Sequence, residues 1–251
     1  MYYRILTLDI SKQIEPERSA QQQKNMEPIE QKAMSPEIIK HLDETGVVAV
    51  LIVEAVKHAI PLARALLKGG VSAIELTLRT PAALEAGRLI KKEVPEITLG
   101  FGTVLTVDQV KAVVDVGADF AVAPGCNPRI IAEAYKQGLA FAPGIMTPSD
   151  IELAVEQGCR VLKYFPAETT GGMKHLNSMA GPYQYLGLQF IPLGGLNINN
   201  ARSYLESPIV SAIGGSWLAK PHLIQAEDWD AISQNAQEIR ALIQEVRNND
   251  Q

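Results

Sequence analysis

From Gly46 onward the chain alternates short β-rich runs with longer amphipathic runs, at a repeat of roughly 20–25 residues. That rhythm leaves few folds open, because strands separated by helices pair in parallel through crossover connections. The strand candidates are Val47–Val53, Val71–Leu78, Ile97–Gly100, Phe120–Ala123, Ala140–Ala142, Val161–Phe165, Gln189–Pro192 and Ile209–Ile213. Helical patterns fill the gaps, and the last is a long polar-faced one from Ala226 to Val246. Gly69-Gly70, Gly117, Gly138 and Gly158 stand where left-handed helix caps are wanted. Eight strands, each followed by a helix, argue an α/β chain closed into a (β/α)8 TIM barrel as a single compact domain. A doubly wound open sheet is the alternative, and it usually has fewer strands.

Composition narrows the function. Hydrophobic residues are 47% and charged residues 20% of the 251, which fits a sizeable core and excludes a disordered chain. Lysine and arginine number 23 against 28 acids, a net charge of −5 with no dominant basic patch, so no nucleic-acid partner is expected. No apolar run reaches the ~20 residues that span a bilayer, so no membrane partner is expected either. Met1–Ile10 could form a short strand, but it lacks a basic-then-apolar signal layout. Two cysteines, Cys126 and Cys159, are too few for a disulfide scaffold. The expected location is cytoplasmic. Residues 1–34, rich in Gln, Glu and Lys after Ile10, read as a polar, mobile extension. The barrel domain is then residues 35–251, opening on a Ser35-Pro36-Glu37 helix start.

In such a barrel, chemistry belongs at the C-terminal ends of the strands. The second strand candidate reads Glu75-Leu-Thr77-Leu-Arg79-Thr80, which puts Glu75, Thr77 and Arg79 on one face and Ile74, Leu76 and Leu78 on the other. An acid and a base facing inward are costly unless paired or used. The plain alternative is a structural Glu75–Arg79 pair. In the sixth candidate, Lys163 stands among Val161, Leu162, Tyr164 and Phe165. Lysine is rarely buried without a reason, and desolvation disfavours an ammonium relative to the neutral amine that attacks carbonyls. Its plain alternatives are snorkelling, or pairing with Glu75 or Glu168. The last two strand candidates lead into Gly194-Gly195 and Gly214-Gly215-Ser216, where backbone N–H groups and a hydroxyl can meet a phosphate. Thr103, after Gly100-Phe101-Gly102, is either a hydroxyl donor or a helix-start residue. His41, His58, His175 and His222 are scattered without ligand spacing, so neither a metal nor a cofactor is expected, and most read as surface residues.

Taken together, these segments closely resemble the family of 2-keto-3-deoxy-6-phosphogluconate (KDPG) aldolases, which also includes 4-hydroxy-2-oxoglutarate (KHG) aldolases. Glu75-Leu-Thr-Leu-Arg79-Thr80, Gly100-Phe-Gly-Thr103, Pro143-Gly-Ile-Met-Thr147, Leu162-Lys163-Tyr-Phe165-Pro166-Ala-Glu168, Pro192-Leu-Gly194-Gly195 and Gly214-Gly-Ser216 carry the likeness. The resemblance implies a lyase of class I: Lys163 forming the Schiff base, Glu75 moving protons, and Arg79 and Thr103 holding the pyruvate carboxylate. Phe165 is carried over as a substrate-binding residue. Gly194, Gly195, Gly215 and Ser216 would take the phosphate of a small keto-acid phosphate substrate, and homotrimers are common in the family.

Two departures stand out. Leu193 replaces a threonine that most relatives carry, and Ile52 stands where some carry an arginine. Either change bears on substrate range or stereochemistry, so KHG cleavage to pyruvate and glyoxylate stays open beside KDPG cleavage. The rival from another class is a non-covalent phosphosugar epimerase or isomerase using Glu75 as base, which would have no need of Lys163.

Overall fold

The computed structural model describes residues 36–249. The strand expected at Met1–Ile10 and the extension expected over residues 1–34 lie outside the described residues. The chain runs α1 (Pro36–Thr45), β1 (Val47–Leu51), α2 (Ala59–Lys68), β2 (Ala73–Thr77), α3 (Ala83–Glu93), β3 (Thr98–Gly102), α4 (Val107–Val116) and β4 (Phe120–Val122). It continues α5 (Pro128–Lys136), β5 (Ala140–Ala142), β6 (Gly144–Ile145), α6 (Pro148–Glu156), β7 (Val161–Tyr164) and α7 (Gly172–Ala180). It ends β8 (Gln189–Pro192), α8 (Ile198–Leu205), β9 (Ile213–Gly215), α9 (Pro221–Gln225) and α10 (Trp229–Asn249). Every strand pairing is parallel: β5-β4-β3-β2-β1-β9 form one sheet and β6-β7-β8 another. Parallel bridges Phe190–Val210 and Leu193–Gly214 connect the small sheet to the β9 side of the large one.

The expected fifth strand forms at Ala140–Ala142, and a further short strand, Gly144–Ile145, follows Pro143, which has no N–H to give a ladder. Before it, β5 pairs with β4; after it, Gly144 and Ile145 pair with Lys163 and Tyr164. Pro143-Gly144 is therefore more than the turn its composition suggests. The third and the last strand extend further into glycines than expected, and for one physical reason. The third strand runs to Gly102 rather than Gly100, and the last lies at Ile213–Gly215 rather than Ile209–Ile213. Glycine is a poor strand former by propensity, but here neighbouring side chains fill the missing volume. A Cβ on Gly100 would stand 2.1 Å from the Phe120 ring, and one on Gly215 would stand 1.9 Å from the Trp217 ring. The helix expected over Ala226–Val246 is α10, Trp229–Asn249, starting after Glu227 at φ 55°, and the short α9 precedes it.

Strand alternation sorts the core into two layers. Val47, Ala49, Leu51, Ile74, Leu76, Leu162 and Tyr164 pack with the helices. Val48, Ala73, Phe120, Val122, Val161 and Ile191 form the opposite layer, joined by Leu42 of α1. Glu75, Thr77 and Lys163 share the parity of this second layer, two to four residues nearer the C-terminal strand ends. Helix starts follow their sequence signals. Thr106, Thr147 and Asn197 each make a reciprocal capping box.

Candidate active site

Glu75 on β2 and Lys163 on β7 meet across the sheet face at the C-terminal strand ends. Lys163 Nζ lies 3.3 Å from each oxygen of Glu75, with the two residues only 6% and 3% exposed. The Glu75–Arg79 pair that β2 alternation allowed is not what forms; the carboxylate takes Lys163 instead. A buried ion pair of this kind is weak support for stability, since desolvation offsets most of the attraction. It suits a group that must hand its proton to a neighbour and then act as an amine. Phe165 closes one side, its ring centroid 5.7 Å from Nζ.

Gly102 makes room for this arrangement. A Cβ there would stand 2.0 Å from Glu75 Oε1 and 2.9 Å from Val122 Cγ2. Thr77, two residues on from Glu75, donates to the Leu51 carbonyl at 3.0 Å and so ties β2 to β1 beside the pair.

The pair opens into a cavity of about 330 Å³ that brings together the residues to which the family resemblance gave roles. Lys163, Glu75, Arg79, Thr103 and Phe165 line it, and so do Gly194, Gly195, Gly215 and Ser216. Arg79 is exposed and makes no ion pair among the described residues, so a cation stands at the cavity wall within reach of an anionic substrate. Gly194 and Gly195 hold φ of 98° and 86°, which suits glycine. Apolar wall residues come from Val50, Ile52, Leu193 and Leu196. Leu193 is 5% exposed and lies over Gly214, where a Cβ would come within 2.6 Å of its Cγ. Of this wall, Val50 and Leu196 were invisible as site residues in the sequence, since nothing separates them from ordinary strand and loop positions.

Other sequence candidates lie elsewhere. His58 is buried rather than at the surface, with Nε2 3.2 Å from Glu227 Oε1 and its ring 5.9 Å from that of Trp229. Burial, with help from nearby Cys159 and Asp150, pushes the Cys126 thiol up to about 11, so it is protonated and unreactive at neutral pH. Among the described residues, no group of three or more His, Cys, Asp or Glu is placed to hold a metal ion, and no helix is long and apolar enough to cross a membrane.

The chain matches the protein family described as KDPG and KHG aldolase over residues 38–235. It is 39% identical over 206 residues to 2-dehydro-3-deoxy-phosphogluconate aldolase of Treponema pallidum, covering 82% of this chain and 97% of that one. It is 42% identical over 192 residues to KHG/KDPG aldolase of Escherichia coli K12, covering 76% and 89%. Among solved structures, KDPG aldolase of Legionella pneumophila, with pyruvate captured as a covalent carbinolamine, superposes with a TM-score of 0.77. That pair shares 32% identity, over 81% of this chain and 97% of the other. A buried lysine–glutamate pair at the strand ends of a parallel α/β fold thus comes with a match over most of the sequence: the chain belongs to the KDPG and KHG aldolase family.

Proposed function

We propose that this protein is a class I aldolase that reversibly cleaves KDPG to pyruvate and glyceraldehyde 3-phosphate through a Schiff base on Lys163. The observation that carries the reading is the buried Lys163–Glu75 pair, 3.3 Å apart, opening into a cavity beside Arg79. Glu75 takes a proton from the ammonium, and the neutral amine adds to the C2 ketone. The proton returns to the C2 hydroxyl, water leaves, and an iminium forms. Glu75 then draws the C4 hydroxyl proton. The C3–C4 bond breaks, its electron pair enters the iminium as an enamine, and the aldehyde departs. Protonation at C3 and hydrolysis of the iminium release pyruvate and restore the amine. Arg79 suits the carboxylate through its planar fork, with Thr103 as a further donor. The glycine-rich backbone at Gly194, Gly195 and Gly215, with the Ser216 hydroxyl, suits the phosphate.

The same reading takes the two parallel sheets as one closed eight-position (β/α)8 ring, with β5 and β6 as a single interrupted strand. The bridges from Phe190 and Leu193 support it at the seam. It also takes the protein as a cytoplasmic homotrimer, following the family resemblance; two free thiols agree with a reducing compartment. KHG cleavage is the second reading, favoured by the apolar Ile52 and Leu193 in the cavity wall.

Borohydride reduction in the presence of pyruvate tests the central step. A stable adduct on Lys163 is expected. No adduct, with turnover intact, would point to a non-covalent isomerase or epimerase.

A further inference from the structure

We propose that Tyr204 is a positioning residue for the Leu193–Gly195 loop, acting through the Glu168 carboxylate; this rests on the phosphate reading of that loop. Tyr204 sits on α8, only 1% exposed, and its hydroxyl donates to Glu168 Oε1. Glu168 is in turn fastened to the loop. Its N–H donates to the Gly194 carbonyl at 3.0 Å, and the neighbouring Ala167 N–H donates to the Leu193 carbonyl at 2.8 Å. Its side chain forms the wall in front of Gly195: a Cβ built on that glycine would stand 2.7 Å from Glu168 Cβ and 2.9 Å from Cγ. On the other side, Gly172 leaves space for the pair, since a Cβ there would stand 3.2 Å from the Tyr204 hydroxyl and 3.4 Å from Glu168 Oε1.

Two physical needs meet here. Gly194 and Gly195 have no side chains to hold their left-handed conformations, so the wall that fixes them must come from outside the loop. A glutamate with a free carboxylate is also a poor neighbour for a phosphate, because like charges repel and the side chain samples many rotamers. A buried hydroxyl that donates to one carboxylate oxygen answers both. It fixes the rotamer, and it offsets part of the charge. Burial, reinforced by the Glu168 carboxylate, raises the Tyr204 pKa, so the hydroxyl remains a donor across the working pH range. Neither side chain lines the catalytic cavity, so Tyr204 touches none of the reacting atoms.

The test is Tyr204→Phe, which keeps the ring in the core. KM for KDPG should rise about three- to tenfold, only part of the worth of a hydrogen bond to a charged group because Tyr204 acts on the loop through Glu168, with kcat within about twofold. The constants for unphosphorylated 4-hydroxy-2-oxoglutarate should stay put. Glu168→Gln in the Tyr204→Phe background should bring KM for KDPG back toward wild type, and added salt should narrow the gap by screening. Ser216→Ala reads the phosphate assignment by itself, through a selective rise in KM for KDPG. If Ser216→Ala is selective and Tyr204→Phe is not, the positioning role is overturned while the phosphate reading stands. If neither is selective, both fall. Equal losses on both substrates in Tyr204→Phe, with a lowered melting temperature, would reduce Tyr204 to a core residue. Failure of Glu168→Gln to restore KM would overturn the part assigned to the carboxylate.

Discussion

Gly102→Ala is the smallest change that should disable the site, because it displaces Glu75 without replacing it. The added methyl would stand 2.0 Å from Glu75 Oε1, 2.8 Å from its Cδ and 2.9 Å from Val122 Cγ2. Ordinary heavy-atom contact needs more than 3 Å, so the carboxylate must retreat by about 1 Å. Its hydrogen bonds to Lys163 are already long at 3.3 Å, and a retreat of that size breaks them. Misplacement of a catalytic group by about 1 Å can cost roughly a hundredfold in rate, and complete loss of a general base ~10²–10⁴-fold. The expected result is a kcat for KDPG cleavage lowered about a hundredfold. Overpacking should cost about 1–3 kcal/mol, or roughly 2–10 °C in Tm for a chain of this size. The assay is pyruvate release coupled to NADH oxidation, with Tm measured in parallel. A folded Gly102→Ala enzyme within about threefold of wild-type kcat would refute the claim that Gly102 is glycine for the sake of Glu75.

Further outcomes follow for the site and for Cys126. Lys163→Ala should retain less than about a hundredth of wild-type turnover. It should also be less stable than Lys163→Met/Glu75→Gln, because the single change leaves Glu75 buried without its partner; equal Tm values would contradict that. Turnover should survive EDTA, and loss on chelation restored by Mg²⁺ or Zn²⁺ would assign the reaction to metal-dependent chemistry. Cys126, with its thiol pushed up to about 11, should react with iodoacetamide at pH 8 much more slowly than a model thiol, and faster as pH rises through that value. Rapid labelling at pH 7 would contradict the raised thiol pKa.

Much of the site was legible because isolated charges in apolar strands violate the usual pattern. Lys163 and Glu75 each interrupt a run of β-formers, and parity puts Glu75 on the face opposite Ile74 and Leu76. The paired glycines 194–195 and 214–215 marked both loops for the same reason, an unusual residue at a structurally predictable place. Helix starts at Thr106, Thr147 and Asn197 were likewise local, since a cap and its helix are neighbours in sequence.

What remained hidden depends on partners distant along the chain. Nothing near Glu75 says whether it takes Arg79, four residues away, or Lys163, 88 residues away; only the strand order that brings β2 and β7 to the same cavity decides it. Glycine propensity argues against strands at Gly100–Gly102 and Gly214–Gly215, and the fold overrides it because Phe120, Glu75, Leu193 and Trp217 fill the missing volume. Nothing around Tyr204 in the sequence points to Glu168, 36 residues away. The sequence by itself determined the alternation of elements and the chemistry that each strand end carries, because both are local. The tertiary structure decided which of those groups meet, since a contact between residues far apart exists only once the chain has closed around it.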